Sequence, residues 1–538
     1  MLNIKEYFLS LAGKVGVWCL RKVQKRGGFF ARLSSSVNRL VNFEYLLTRQ
    51  FNERPAEKFF TEAHQLVSPQ RVSVILPVFG IKLFYFKEFL NSLKNQTFNN
   101  WQLCICDDGD PDETVWKYVQ ELARKDPQKY VCVRHDRNQG ISAATRSALS
   151  LASGEIILFV DADDTLHKRA LEMFCRKFCS DDEIDLVYSD SDLSNDLGFR
   201  HMPSYKPGWS PELLQTYNYI NHLVGARKNC LNKIQGELFP DEFSGAQDWD
   251  FCWKVAAVAR RISHIPLVLY HWRMRPGSIA HDGGAKPWAQ GAGMRVQQFH
   301  LKTIHPWLTL NPMDKFPQID ALISDEALPE VVFLSLINDE KDLFKFEKYR
   351  GRKKKIFVRD FADWTQRDFL TELKSIVNKQ SFYLFMEDLS PEEITGDVER
   401  SLAFAIQPRV SCVWPFKNES LRLAYTTNWT TDKMYLASLK HPRSVFSNAS
   451  SNVLTGPLRG LFIDGAKLIL IIDKIIDDDQ SSDFLNSAFD SDQCGAFIGL
   501  YGLTIGFRNV SCHALKLNVI IKNIPLGDNY HGLQDPYI

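Results

Sequence analysis

An α/β architecture is the fold class this sequence predicts, and three observations predict it. From Arg71 onward, short apolar runs alternate with stretches of helical period, the pattern of a largely parallel, doubly wound sheet. One run, Ile156-Ile157-Leu158-Phe159-Val160, is apolar throughout, as a central strand covered on both faces must be. A second alternation of strands and helices begins near Val331 and continues toward the C-terminus.

In the first half the spacing predicts strands at Val72–Val78, Trp101–Cys106, Val131–Arg134 and Ile156–Val160. Helices are predicted at Tyr85–Asn95, where Phe86, Phe89, Leu90 and Leu93 share a face, at Glu113–Arg124, and at Ser142–Ala152 with Gly154 as a left-handed cap. Further on, Phe251–Arg260 reads as helix and Pro266–Leu269 as strand-like. The charged, Pro-bearing stretch 311–330 reads as a linker. Beyond it, Val331–Ile337, Ser381–Met386 and Val410–Trp414 are expected strands, and Phe369–Val377 and Pro391–Ala405 expected helices. The expected organisation is an N-terminal basic, helical segment (1–70), a first α/β domain (71–310), the linker, and a second α/β domain (331–538).

Bulk properties exclude several classes. Lys+Arg 65 against Asp+Glu 64 leaves a net charge of +1, so no global field draws the chain to nucleic acid, and none is expected as a partner. The 11 cysteines form no C-x-x-C pair; reduced, structural thiols in a cytoplasmic protein are expected. The run Leu468–Ile476 is short and interrupted by Asp473 and Lys474, so it reads as buried secondary structure rather than a membrane span. The start lacks a cleavable signal pattern, and Ile4–Leu40 mixes apolar residues with Lys14, Arg21, Lys22, Lys25 and Arg26. That segment reads either as a helix lying on the inner face of the membrane or as a leading helix docked on the body.

The chemistry-bearing residues cluster at strand ends. Asp161-Ala162-Asp163-Asp164 follows the apolar strand directly, and ligands of open α/β sheets bind beyond the carboxyl ends of strands. In extended backbone Asp161 and Asp163 project to one side, offering hard oxygen ligands to Mg²⁺ or Mn²⁺, which in turn hold a diphosphate. A solvated acidic turn capping the next helix is the alternative; the central strand upstream tips the balance to a metal site. Asp107-Asp108-Gly109-Asp110 also sits past a strand, where Asp108 is placed to accept from a base N–H, although turn chemistry alone accounts for an Asp-Gly cluster. Pro77-Val78-Phe79-Gly80 forms one wall of the same cleft, and Asn138-Gln139-Gly140 precedes a helix N-terminus suited to phosphate or ribose.

Asp248, in Gly245-Ala246-Gln247-Asp248-Trp249-Asp250, lies near a helix start and reads as a general base or as an N-cap. His271, in Tyr270-His271-Trp272-Arg273, reads as a metal ligand or as a satisfied core histidine, with Arg273 or Arg275 on the diphosphate.

Taken in order, these segments resemble family 2 glycosyltransferases, which have the GT-A fold. Val72-Ser73-Val74-Ile75-Leu76-Pro77-Val78-Phe79 is similar to the family's opening strand, Gln96-Thr97-Phe98 to its helix end, Asp107-Asp108-Gly109 to its nucleotide turn, Asn138-x-Gly140 to its next loop and Asp161-Ala162-Asp163 to its metal motif. Gln247-Asp248 stands where the family carries an acidic pair, so only Asp248 inherits the base role. Tyr270-His271-Trp272-Arg273 with Gly277, Ser278 and Lys286 is similar to a bacterial subgroup that builds cell-surface polysaccharides, often adding rhamnose.

The resemblance covers roughly Arg71 to Leu301 and implies an inverting, metal-dependent transfer from a UDP- or dTDP-linked sugar to a glycan or lipid-linked glycan hydroxyl. Asp161, Asp163 and His271 would hold Mn²⁺ or Mg²⁺; Pro77, Val78, Phe79, Asp107, Asp108, Asn138, Gly140, Arg146, Asp161 and Arg273 would hold the donor. In the second half, Phe385-Met386-Glu387-Asp388-Leu389 and Asp490-Ser491-Asp492-Gln493-Cys494 resemble the acids of a second, degenerate GT-A-like domain without the acid-x-acid spacing. Two rivals stand beside this: a scaffold subunit of a polysaccharide assembly complex, against which the intact acids argue, and a nucleotidyltransferase, whose glycine-rich basic loop is missing from Pro77–Lys82.

Overall fold

The computed structural model describes residues 70–312, with breaks at 196–199, 205, 207 and 275–286, and continues in stretches between 319 and 511. The expected basic helix at Ile4–Leu40, Arg275, Gly277, Ser278, Lys286, Met386–Leu389 and Asp490–Gln493 lie outside the described residues.

The chain runs β1 (Val72–Val78), α1 (Leu83–Lys94), β2 (Trp101–Asp107), α2 (Thr114–Lys125), β3 (Tyr130–Arg134), α3 (Ile141–Ser150), β4 (Ile156–Phe159). Each matches its expected span to within two residues at either end. Helix α1 forms where the pattern requires, with Phe86, Phe89, Leu90 and Leu93 buried. There follow β5 (Thr165–Leu166), α4 (Ala170–Ser180), β6 (Ile184–Ser194), β7 (Arg200–Ser204), α5 (Pro211–Thr216), β8 (Val224–Arg227), α6 (Gln247–Val258), β9 (Arg261–Arg273) and α7 (Pro287–Ile304). Strand order is β3-β2-β1-β4-β8-β6-β9-β5, with β7 on β6. Strands β3, β2, β1 and β4 are parallel, as expected. Strand β8 then runs antiparallel to both β4 and β6, so the sheet is mixed.

Two apolar layers sandwich it. Val72, Val74, Leu76, Leu103 and Leu158 pack beneath Phe86, Phe89, Leu171 and Phe174 on one face; Ile75, Cys104, Ile157 and Tyr188 pack beneath Ala144, Leu213, Trp249 and Phe251 on the other. Gly154 is not the left-handed cap expected. Helix α3 ends earlier, with Leu151 in the right-handed region, and a Cβ on Gly154 would stand 2.4 Å from the Arg71 carbonyl oxygen. Glycine is required there for a close backbone approach, not for a turn.

The stretch expected as a linker contains half of a hairpin: β10 (Leu308–Pro312) pairs antiparallel with β11 (Ile319–Ile323). The second sheet comprises β12 (Glu330–Ser335), β13 (Lys353–Phe357), β14 (Ser381–Phe385), β15 (Val410–Trp414), β16 (Arg422–Leu423), β17 (Ser451–Thr455), β18 (Phe462–Asp464) and β19 (Arg508–Ser511), with α8 (Gln366–Ile376), α9 (Val398–Ala405) and α10 (Gly465–Asp477). Its order is β13-β12-β14-β18-β15-β19-β17-β16.

Ranking β12, β13, β14, β15, β18 and β19 by place in the chain, the order across the sheet is second, first, third, fifth, fourth, sixth. The strands β1, β2, β4, β6, β8 and β9 of the first sheet stand in the same order. Directions agree as well: first, second and third parallel, fifth antiparallel to third and fourth, sixth parallel to fourth. The second half thus repeats the sheet plan of the first. The Leu468–Ile476 run lies within α10, whose Leu468, Ile471, Ile472 and Ile475 enter the core. No described helix is long and apolar enough to cross a membrane. The halves meet where the buried Gln215 of α5 and Gln407 exchange side-chain amide hydrogen bonds of 3.1 and 2.9 Å.

Candidate active site

Strand β4 delivers the acid loop to the carboxyl edge of the sheet. Asp164 is fully buried and accepts a 2.7 Å bond from the Arg273 backbone N–H. The Tyr270 hydroxyl accepts from the Asp161 backbone N–H at 3.0 Å. Arg273 Nε donates to the Asp163 carbonyl at 2.7 Å, and its Nη2 lies 2.6 Å from Glu88 Oε2. The acid turn is therefore clamped by β9 from behind. Burial, then the charges of Asp163 and Asp161, push Asp164 well above the usual carboxylate range. Asp164 is the buried acid of the turn, and Asp161 and Asp163 are the partly exposed pair.

Opposite them stand two residues from distant segments. His222 Nε2 lies 3.3 Å from Asp161 Oδ2, and its ring packs on Tyr270 with centroids 5.4 Å apart. Burial pulls the His222 pKa down, but Asp161, followed by the charges of Asp248 and Asp164, carries it up to about 9. Asp248 sits in the first turn of α6, its Oδ1 accepting from the Trp249 backbone N–H at 2.9 Å. Burial raises the Asp248 pKa; His222 draws it down, and Asp161 raises it further. These mutual effects place Asp161, His222 and Asp248 in one electrostatic cluster at the strand edge.

A divalent cation suits this turn: the donors are hard carboxylate oxygens, and the crowding of three acids is the repulsion a cation relieves. The three expected ligands do not assemble, however. His271 is paired in register with Asp192, and its Nδ1 lies 2.7 Å from Asp192 Oδ1, which binds on the other side to Arg200. Among the described residues no three His, Cys, Asp or Glu side chains form a metal-holding group. His271 serves the β6–β9 pairing, which leaves Asp161 and Asp163 as the partly exposed carboxylates of the turn.

The remaining expected donor residues are brought to the same edge, several in other roles. Asp108 is buried and accepts from His135 Nδ1 (2.6 Å), Gln139 N (2.9 Å) and Gly140 N (2.8 Å), so its carboxylate shapes the Asn138–Gly140 loop. Asp107 is taken up by Arg134 Nε at 3.0 Å and Asp110 N at 3.2 Å. Asp110, not singled out from sequence, accepts from Gly80 N at 2.7 Å and so ties the Pro77–Gly80 loop to the second turn. Pro77 and Val78 end β1, and Phe79 projects half exposed. Gly140 has φ of 93° ahead of α3, and Asn138 is exposed. Arg146 faces away from diphosphate duty: it bonds to the Phe239 carbonyl and to Asp241 Oδ1 at 2.9 Å. Arg273 is almost enclosed, engaged as the clamp described above.

Residues 73–234 match the family model described as Glycosyl transferase family 2. This segment is a family 2 glycosyltransferase domain. Its sheet is the mixed, parallel-rich sheet of the GT-A fold. The glycosyltransferase domain is similar to an uncharacterized protein, y4gI, of Sinorhizobium fredii, 35% identical over 232 residues, 43% of this chain and 25% of that protein. It is also similar to the O-antigen biosynthesis protein RfbC of Myxococcus xanthus (29% over 231 residues; 43% and 18%) and to chondroitin synthase of Pasteurella multocida (27% over 201 residues; 37% and 20%). The chain spans a quarter or less of the length of these relatives. Among solved structures, S. aureus TarS 1–349 in complex with UDP aligns at 23% identity and a TM-score of 0.34, over 43% of this chain and 65% of that one.

Two residues of the glycosyltransferase cluster escaped the sequence reading, His222 and the clamping hydroxyl of Tyr270. Each reaches the acids from a distant segment, so no local pattern announces it.

Proposed function

We propose that the chain is an inverting, metal-dependent glycosyltransferase that moves a sugar from a UDP- or dTDP-linked donor to a hydroxyl of a glycan or lipid-linked glycan of the cell surface. The observation that carries this is the electrostatic coupling of Asp161, in the acid turn it shares with Asp163, to Asp248 and to His222, which stands 3.3 Å from Asp161. Asp161 and Asp163 would hold Mn²⁺ or Mg²⁺, which when bound supplies Lewis-acid neutralisation of the leaving diphosphate. Asp248 accepts the proton of the acceptor hydroxyl as its oxygen forms a bond to the anomeric carbon and the carbon–diphosphate bond breaks. One displacement inverts that carbon, and no protein nucleophile is needed. The Pro77–Gly80, Asp107–Asp110 and Asn138–Gly140 loops, stitched together by Asp108 and Asp110, form the wall that orients the nucleotide.

The printed names of the relatives, an O-antigen biosynthesis protein and a chondroitin synthase, support a surface polysaccharide as product. Cys104, Cys106, Cys132, Cys175, Cys179, Cys230, Cys252 and Cys494 are free, which agrees with work in the reducing cytoplasm. The basic, apolar segment Ile4–Leu40 supplies a means of holding the enzyme against an anionic leaflet. The test is turnover of a panel of nucleotide sugars with Mn²⁺ or Mg²⁺ and with chelator. Metal-dependent release of nucleoside diphosphate is expected; no turnover and no nucleotide binding across the panel would favour the scaffold.

A further inference from the structure

Resting on that reading, we propose that His222 is a sugar-contacting residue: its Nε2 holds Asp161 while its Nδ1 makes a hydrogen bond with a hydroxyl of the sugar in transit. The ring stands 3.3 Å from Asp161 through Nε2, and its Nδ1 is buried with no hydrogen-bond partner. A buried, unpaired ring nitrogen at a cleft is costly unless a ligand completes it.

The class of ligand follows from position. In a single displacement the leaving diphosphate, the anomeric carbon and the attacking hydroxyl are in line. Asp161 marks the diphosphate end and Asp248 the attacking end, and the charges of both reach His222. What lies between those two ends is the sugar ring, a neutral polyhydroxyl surface whose hydroxyls both donate and accept and so suit a lone ring nitrogen.

The turn is also held firmly. Lys206, buried, donates through Nζ to the carbonyls of Ile220 (2.5 Å) and His222 (2.8 Å), on either side of Asn221. Asn221 has φ of 38°, a left-handed conformation that a non-glycine residue keeps only when its surroundings enforce it. The chain thus commits the buried amino group of Lys206 to keeping this imidazole in place.

Two substitutions separate contact from positioning. His222→Gln sets its amide where Nε2 stands and keeps the hold on Asp161; His222→Asn sets its amide where Nδ1 stands. The measurement is calorimetric affinity, with Mn²⁺, for UDP, dTDP and GDP alone and for a panel of their sugars. In His222→Gln the best-bound sugar nucleotide should weaken roughly tenfold while its bare nucleotide is unchanged, the size of a lost hydrogen bond. His222→Asn should retain more of the sugar's contribution.

Equal loss for sugar nucleotide and bare nucleotide in both variants would reduce His222 to a support for Asp161 and overturn the proposal, as would an unaffected His222→Gln. Should Gln destabilise the fold by thermal melt, His222→Ala with added imidazole replaces it: sugar affinity restored by imidazole supports the contact, and none restored overturns it. A native chain that binds no nucleotide with Mn²⁺ refutes the donor site itself, and this inference with it.

Discussion

Asp248→Asn exchanges one carboxylate oxygen for an amide and leaves the side chain's shape unchanged. The 2.9 Å bond from the Trp249 N–H to Oδ1 survives, because an amide oxygen accepts it equally. The negative charge in the first turn of α6 is lost, a helix-dipole cost of about 0.3–1 kcal/mol that removal of a half-buried charge offsets. The fold should therefore melt nearly as the native chain does. Donor binding should survive as well, since the lost charge repelled Asp161 rather than supporting it. Transfer should fall by about 10²–10⁴-fold, the contribution of a general base, which is roughly 3–5 kcal/mol in the barrier. The companion Asp163→Ala removes a metal ligand and should abolish metal-dependent nucleotide affinity. Nucleoside diphosphate release reads the first effect, and calorimetry of nucleotide with Mn²⁺ reads the second. Loss of nucleotide affinity in Asp248→Asn comparable with that in Asp163→Ala, or transfer at the native rate, would refute this division of labour.

Tyr270→Phe deprives the Asp161 N–H of its acceptor and should cost about 1–3 kcal/mol in chemical denaturation, together with weaker metal-dependent nucleotide binding. Gly154→Ala forces a Cβ to within 2.4 Å of the Arg71 carbonyl and should destabilise by about 1–3 kcal/mol through overpacking, again read by denaturation. Because burial and Asp161 raise the Asp248 pKa, kcat/KM should fall as pH drops through a value above the ordinary ~3.9 of an aspartate; a limb at or below that value contradicts the buried placement. Gln215→Leu or Gln407→Leu alone should cost about 1–3 kcal/mol by stranding the other amide, whereas the double substitution should recover much of it, a double-mutant cycle that reports whether the halves are docked in solution.

The first four strands and three helices were legible because each carries its own apolar period, and so was the placing of Asp161, Asp163 and Asp248 at strand and helix ends that the period locates. Strand β6 was not: Ser189, Asp190, Ser191 and Asp192 are buried in it, and their partners on β9 and near Lys206 compensate polar groups that read locally as loop. The same compensation ties down much of the nucleotide turn: Asp108 accepts from the Gln139 and Gly140 backbone N–H groups and Asp107 Oδ1 from the Asp110 N–H, while Asp107 Oδ2 is left buried with no hydrogen-bond partner. Which polar atoms are already satisfied is a tertiary property, invisible to spacing. His222 was hidden for the complementary reason, being an ordinary histidine until the chain folds it against Asp161.

The repeated sheet plan bears on where chemistry resides. In both halves the third strand in chain order lies between the first and the antiparallel fifth, so β14 occupies the position that β4 occupies for the acid loop. Two residues past Phe159 the sequence has Asp161 and then Asp163, spaced so that an extended chain directs both to one side. Two residues past Phe385 it has Glu387 and Asp388, adjacent, without the acid-x-acid spacing. The repeated frame thus comes without the repeated acid spacing, which sets the first sheet apart as the carrier of the proposed chemistry, and the buried amide pair of Gln215 and Gln407 is a point at which the second half touches α5.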